Sequence, residues 1–298
     1  MEDVRPIYRT PGPKRRAGRL LPPRRWSALA AVALAGLVAT ACQAAAPPQA
    51  QTLDVEGRDF AFIAPDSVPA GVTTITFKNT GKQDHHIILT RLEQGKTMAD
   101  FQRALSQMEK EGIPPWLTFV GGSGGIAAGG TSNTTQPLSP GTYALMCLLP
   151  DPADGAPHVA KGMVKPLTVT GSAVSSDLPA ASDGMVSLKD YAFDMPTSFA
   201  AGKRTLRVVN DGQDIHEFQV LKLSPGKTAA DIGTFFSGQP SGPPPFAMVG
   251  GTNAFSRGLA GNTSVDFAPG TYAAVCFVPD KKGTPHLALG MVKEFTVQ

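Results

Sequence analysis

The chain is one unit written twice, and that duplication limits what it can fold into. Residues 141–169, GTYALMCLLPDPADGAPHVAKGMVKPLTV, reappear at 270–297 as GTYAAVCFVPDKKGTPHLALGMVKEFTV. Residues 79–92 (NTGKQDHHIILTRL) match 210–223 (NDGQDIHEFQVLKL), and 59–62 (DFAF) match 190–193 (DYAF). The offset is 131 through these segments and 129 at the GTY motif, so the second copy is two residues shorter in between. A repeat this long is a duplicated domain, because solenoid units run to roughly 20–50 residues. The join falls at 171–183, GSAVSSDLPAASD, whose Ser, Ala, Pro and Asp content reads as a linker.

Within each copy the pattern is that of strands. Residues 72–78 and 203–209 alternate with β-branched side chains, as do 85–92 and 216–223. Segments 142–149 and 271–278 are nearly continuous apolar runs, as expected of strands covered on both faces. One helix interrupts each copy. Thr97 and Asp100, and Thr228 and Asp231, have the spacing of an N-terminal capping box, and Met98, Phe101, Leu105 and Met108 follow at helical intervals. Segments 121–130 (GGSGGIAAGG) and 237–245 (SGQPSGPPP) lack the GK[ST] ending of a phosphate cradle and read as irregular connections. The expected fold is all-β with one short helix per repeat: two tandem Greek-key β-sandwiches.

The charge of the whole chain misleads. Eight of its 27 Lys and Arg lie in residues 1–26, with only Glu2 and Asp3 against them. Without residues 1–41 the balance is 19 basic to 22 acidic side chains, a net charge of −3. A mildly acidic body argues against nucleic acid as a partner, since phosphate binding needs a basic face. The basic stretch, the uncharged 27–41 (SALAAVALAGLVATA) and Cys42 together read as an export signal. The ending Ala39-Thr40-Ala41-Cys42 resembles a bacterial lipobox, which implies a lipid anchor on Cys42. The organisation expected is a signal peptide at 1–41, a tether at 42–51, a first domain at 52–170, a linker at 171–183 and a second domain at 184–298. The protein is expected outside the cytoplasm, at a membrane surface or in the periplasm.

Each GTY copy then offers a thiol, an imidazole and a thioether in fixed order: Cys147, His158 and Met163, then Cys276, His286 and Met291. These are the soft and borderline donors of copper electron-transfer sites. The five histidines respect the repeat. His85, His86 and His216 open equivalent strands, and His158 and His286 lie in equivalent loops. Because successive strand residues face opposite ways, His216 shares a face with Phe218 and Val220. By register His85 takes that face in the first copy, and His86 aligns with Glu217 and is expected to point to solvent or a loop. On the same argument Tyr143 and Cys147, and Tyr272 and Cys276, point to one side, each tyrosine placed to pin a Greek-key corner.

These motifs resemble those of the cupredoxins, the plastocyanin-like blue-copper family. Pro140-Gly141-Thr142-Tyr143 leads to Cys147, and His158 and Met163 keep an H-x4-M spacing; Pro269-Gly270-Thr271-Tyr272, Cys276, His286 and Met291 repeat it. The resemblance covers residues 52–298 and implies copper sites at His85, Cys147, His158 and Met163, and at His216, Cys276, His286 and Met291. There is one departure. The family usually separates cysteine and loop histidine by about two to four residues, whereas here ten and nine intervene. The longer turn is expected to loosen the site.

Two functions follow as expectations: an extracytoplasmic one-electron carrier with a redox partner protein, or a non-redox envelope module that is metal-free or stores and delivers copper. Zinc is disfavoured because methionine is not among its usual ligands. A disulfide between Cys147 and Cys276 needs the two sites to face each other. The chain has no H-x-H pair of the kind multicopper oxidases use, no G-x-S-x-G and no H-E-x-x-H, and on that ground it is expected not to be an enzyme.

Overall fold

A computed structural model describes residues 50–172, 177–237 and 242–298. The export signal, the lipobox cysteine Cys42 and most of the tether lie outside the described residues. The first copy runs β1 (Gln51–Arg58), β2 (Ala61–Ile63), β3 (Ser67–Pro69), β4 (Gly71–Asn79), β5 (Ile88–Leu92), α1 (Met98–Glu111), β6 (Leu117–Phe119), β7 (Thr131–Leu138), β8 (Gly141–Met146) and β9 (Val164–Thr170). The second runs β10 (Met185–Lys189), β11 (Ala192–Asp194), β12 (Ser198–Phe199), β13 (Gly202–Asn210), β14 (His216–Leu223), α2 (Ala229–Ser237), β15 (Phe246–Phe255), β16 (Ala260–Phe267), β17 (Gly270–Val275) and β18 (Val292–Val297). The described residues are mostly β-sheet, with one short α-helix in each copy.

Alternation along the strands builds each core. In β4, Ile75 and Phe77 turn inward, and in the facing sheet Leu89, Tyr143, Leu145 and Cys147 meet them. The second copy buries Leu206, Val208, Phe218, Val220, Tyr272, Ala274 and Cys276 in the same way. Each sandwich therefore has one five-stranded sheet of its own, ordered β3-β9-β8-β5-β6 and β12-β18-β17-β14-β15. The helix covers the outer face of that sheet: Phe101 is fully buried against Ile88, Leu92 and Met146. Thr97 and Asp100 form the expected capping box. The tyrosine corners are also present, Tyr143 Oη donating to Ser139 O and Tyr272 Oη to Ala268 O, both at 2.7 Å.

The opposite sheets are not separate. They merge into one eight-stranded sheet, ordered β11-β10-β13-β16-β7-β4-β1-β2. At its centre β7 and β16 pair antiparallel through Asn133 with Ser264, Thr134 with Thr263 and Thr135 with Asn262. Thr134 and Thr263 are equivalent residues of the two copies, so the pairing has a pseudo-two-fold axis, as in the self-complementary interface of a symmetric dimer. The glycine-rich segment 121–130, read from sequence as a plain connection, makes the second half of this seam. Val120 pairs with Phe255, Ser123 with Thr252 and Ile126 with Val249, again about the same axis. Gly124 lies so close to the other copy that a Cβ would sit 2.4 Å from Gly250 O. Small residues here let the two copies meet backbone to backbone.

A shared sheet couples the copies mechanically. Tyr143→Phe removes one corner hydrogen bond, worth about 1 kcal/mol, from the first copy alone. Calorimetry of the full chain is expected to show one unfolding transition, shifted as a whole by that substitution. Two transitions, of which only one moves, would contradict the coupling.

Candidate metal centre

Each centre is assembled from a strand entrance and a hairpin. His85 stands just before β5, its backbone N–H and C=O both bonded to Ile126. Cys147 follows β8, with its N–H donating to Met163 O at 3.2 Å. The insert between Cys147 and His158 does not loosen the site. It folds back on itself, with Asp151 N bonded to Ala156 O at 2.8 Å, His158 N to Leu149 O at 2.9 Å and Val159 N to Cys147 O at 2.8 Å. The shorter insert of the second copy closes identically, through Asp280 N to Thr284 O, His286 N to Val278 O and Leu287 N to Cys276 O. The extra residues are looped out as a hairpin stem, and the histidine returns beside its cysteine. The sequence expectation of a slack turn is corrected on this point.

The result is two buried donor clusters. The ligand atoms of His85, Cys147 and His158 lie within 4.8 Å of one another, and so do those of His216, Cys276 and His286. In the first, the two Nδ1 atoms are 3.1 Å apart and His158 Nδ1 is 3.5 Å from Cys147 Sγ. In the second the corresponding separations are 3.1 and 3.4 Å. All six residues are at most 1 % exposed. Met163 and Met291 are fully buried in the same cores, each with its N–H bonded to the carbonyl of the loop histidine. Cys147 and Cys276 are free thiols, each committed to its own cluster, so no disulfide joins the copies. The chain carries two cupredoxin-like domains.

Around the clusters lie residues that sequence reading passed over. His85 Nε2 meets Asp59 Oδ1 at 3.1 Å, and His216 Nε2 meets Asp190 Oδ1 at 2.9 Å. Burial works against these carboxylates, but N–H donors from the following turn and the histidine outweigh it and hold both below the usual range. The turn must pass very close. A Cβ on Gly81 would sit 2.4 Å from Asp59 Oδ1 and 2.7 Å from His85 Nε2, and one on Gly212 would collide likewise. Phe60 and Tyr191 follow the aspartates at φ 64° and 63°. That left-handed backbone is costly for an aromatic residue, and it sets each ring edge-on to a loop histidine, with centroids 5.2 and 5.0 Å apart. The one available signal was the DFAF/DYAF match, which keeps the aspartate and the ring in both copies.

His86 is corrected too. Of the two places expected for it, solvent is wrong and the loop is right: it is buried, and its Nε2 accepts from Leu148 N, in the loop after Cys147, at 2.8 Å. Glu217 does the same in the second copy, with Oε1 accepting from Phe277 N at 2.8 Å. Both therefore clamp the residue after the cysteine. Burial drives their titrations in opposite directions, His86 down to about 3 and Glu217 up to about 7. Burial also pushes the Cys147 thiol up to about 12 and holds that of Cys276 higher still. His158 and His286 are lowered, first by burial and then by the neighbouring histidine.

This geometry fits a metal ion. A hydrogen bond to the Asp59 carboxylate assigns the His85 proton to Nε2, so its Nδ1 lone pair points inward. Gln83 Oε1, 2.8 Å from His158 Nε2, assigns that proton outward as well. Two lone pairs then face each other at 3.1 Å beside a buried thiol, an arrangement that a shared cation relieves. The separations are those spanned by donors about 2.0–2.3 Å from one ion. Two imidazoles, a thiol and a thioether buried in the same core are the donor set of copper.

No family model matches the chain, and no curated protein matches it. Among solved structures, it is similar to a dithionite-reduced auracyanin from Roseiflexus castenholzii at 24% identity, over 42% of this chain and 100% of that one, with a TM-score of 0.30. A multicopper oxidase aligns at 16% identity over 84% of this chain and 89% of its own, TM-score 0.25. A copper-containing nitrite reductase from Thermus scotoductus aligns at 12% over 83% and 61%, TM-score 0.26. The lack of an H-x-H pair led to the expectation that the protein is not an enzyme. With an oxidase and a reductase among the proteins this chain is similar to, that expectation is withdrawn.

The buried pair flanking the ligands sets opposite pH dependences. His86 is neutral when folded and takes up a proton on unfolding, so it costs stability as pH falls from about 6.5 towards 3. Glu217 is protonated when folded and releases its proton on unfolding, so it costs stability as pH rises from about 4.5 to 7. These slopes cancel between about pH 4.5 and 6.5 in the wild-type chain, so urea denaturation of the metal-free protein between pH 4 and 8 is expected to expose each alone: His86→Gln loses stability as pH rises from about 4.5 to 7, and Glu217→Gln loses it as pH falls from about 6.5 to 4, each by about 3 kcal/mol. Unchanged slopes would contradict both assignments.

Proposed function

We propose that the protein is an extracytoplasmic one-electron carrier with a type-1-like copper centre in each domain, held by His85, Cys147, His158 and Met163, and by His216, Cys276, His286 and Met291. The observation that carries this reading is the inward-facing pair of Nδ1 atoms, 3.1 Å apart, next to a buried cysteine in both copies. Bound copper would supply a single-electron couple between its two oxidation states. The chain's own residues do the rest. Asp59 and Asp190 fix one imidazole in the tautomer that offers Nδ1, and their negative charge makes that ring a stronger donor. Phe60 and Tyr191 cover the loop histidine and keep water away. The shared sheet and the hairpin bonds hold the donors at fixed separations, so little rearrangement accompanies a change of charge.

The thiols argue for a metal with affinity for thiolate. At neutral pH a thiol with a pKa near 12 stays protonated, and binding a cation replaces that proton. The basic, then apolar, leader and the lipobox-like ending support export and a lipid anchor on Cys42, which would keep the domains near a membrane surface within reach of a redox partner protein. The mildly acidic body supports a protein partner over nucleic acid.

Copper titration of the mature protein is expected to bind two ions per chain, with an intense visible thiolate-to-copper band and release of about one proton per ion. Cys147→Ser or Cys276→Ser is expected to remove about half of the band, and the double variant all of it. A colourless protein that retains no copper would leave the non-redox module instead.

A further inference from the structure

The two centres share their ligands, but they differ along one edge. In the first copy His158 Nε2 donates to Gln83 Oε1 at 2.8 Å, and Gln83 Nε2 donates to Asp151 Oδ1 at 3.2 Å. Asp151 is in turn paired with Lys161, which also reaches Asp154 at 2.8 Å. A carboxylate only accepts, so the Gln83 amide can face only one way, with its oxygen towards His158. The relay Lys161–Asp151–Gln83 thus holds the His158 proton on Nε2 and leaves Nδ1 open towards Cys147 and His85.

Of this relay only the aspartate survives in the second copy, and it is engaged elsewhere. The repeat places Asp214 where Gln83 stands, Tyr191 where Phe60 stands and Leu289 where Lys161 stands. The Tyr191 hydroxyl takes the Asp214 carboxylate, with its oxygen 3.2 Å from Oδ2. Asp280, the counterpart of Asp151, is spent on the backbone N–H groups of Lys282 and Thr284. His286 Nε2 is left buried and without a hydrogen-bond partner, although the ring is fully enclosed. A buried N–H with no acceptor is unfavourable. The favoured place for the His286 proton is therefore Nδ1, where it can donate to His216 Nδ1, 3.1 Å away.

We infer that the two centres are inequivalent: Gln83 is a positioning residue that presets His158 for a metal, whereas His286 must move its proton from Nδ1 to an unpaired Nε2 before it can coordinate. The first centre fills first and holds copper more tightly. This rests on the copper reading above, and the test separates the two. Outer partners of a ligating histidine typically change metal affinity by about 10–100-fold. Competition with a chelator of known affinity is measured on the full chain, with Cys276→Ser leaving the first centre and Cys147→Ser leaving the second. The first is expected to bind copper about 10–100-fold tighter. Gln83→Ala should erase that advantage, and Tyr191→Phe with Asp214→Gln, which rebuilds the first copy's pair, should tighten the second centre.

Long-range nitrogen–proton NMR of the metal-free wild-type chain gives a readout that needs no copper. It is expected to place the proton on Nε2 of His158 and on Nδ1 of His286, and Gln83→Ala should move the His158 proton to Nδ1. If neither single-centre variant takes copper, the copper reading fails while the tautomers still decide the role of Gln83. Equal affinities, or the same tautomer at both loop histidines, would overturn the inference.

Discussion

The structure turns on two imidazole nitrogens that face each other at 3.1 Å with both lone pairs inward. In the first centre neither nitrogen carries a proton to share, because Asp59 and Gln83 hold the protons on the far sides of the rings. Protonating His158 is opposed by burial, and the adjacent Cys147 keeps its own proton for the same reason. Such a cluster is electrostatically incomplete without a cation. The surrounding architecture makes that incompleteness tolerable: a rigid sandwich, a hairpin that pins His158 to Cys147 through backbone bonds, and a turn whose Gly81 lets the aspartate reach in.

Duplication then acts as an internal control. Features present in both copies are those the centre needs: the aspartate on the strand-side histidine, the left-handed aromatic over the loop histidine, the glycine of the turn and the buried acceptor that clamps the residue after cysteine. Features present once mark where the copies have parted. His86 and Glu217 do the same structural work with opposite titration behaviour. Gln83 and Asp214 occupy one position with opposite consequences for the ring beside them. Because the copies meet about a pseudo-two-fold axis through one continuous sheet, these differences sit in the same scaffold and cannot be assigned to unlike folds.

Much of this was legible in the sequence, because the repeat doubled each signal. Alternation put His85 and not His86 on the inner face, the GTY motif placed tyrosine and cysteine on one side of a strand, and the Thr–Asp spacing gave the helix start. What alternation could not give was the far end of each contact. His86 reads as an outward residue on its strand, yet the loop after Cys147 folds over it and supplies a donor. Asp59 lies 26 residues from the histidine it orients, a partnership set by the parallel pairing of β1 with β4. The glycine-rich segment 121–130 carries no strand signal of its own, because its partner strand, β15, belongs to the other copy. The long inserts looked like slack because residue count measures path length and says nothing of a hairpin that folds the excess away.

The most direct measurement of the central claim is copper K-edge X-ray absorption of the copper-loaded protein, read for the atoms bound to the metal. One sulfur at about 2.2–2.3 Å and two imidazole nitrogens at about 2.0 Å are expected per copper, by analogy with other thiolate and imidazole sites. A shell of oxygen and nitrogen alone, with no sulfur, would mean that copper lies outside the clusters and would contradict that claim.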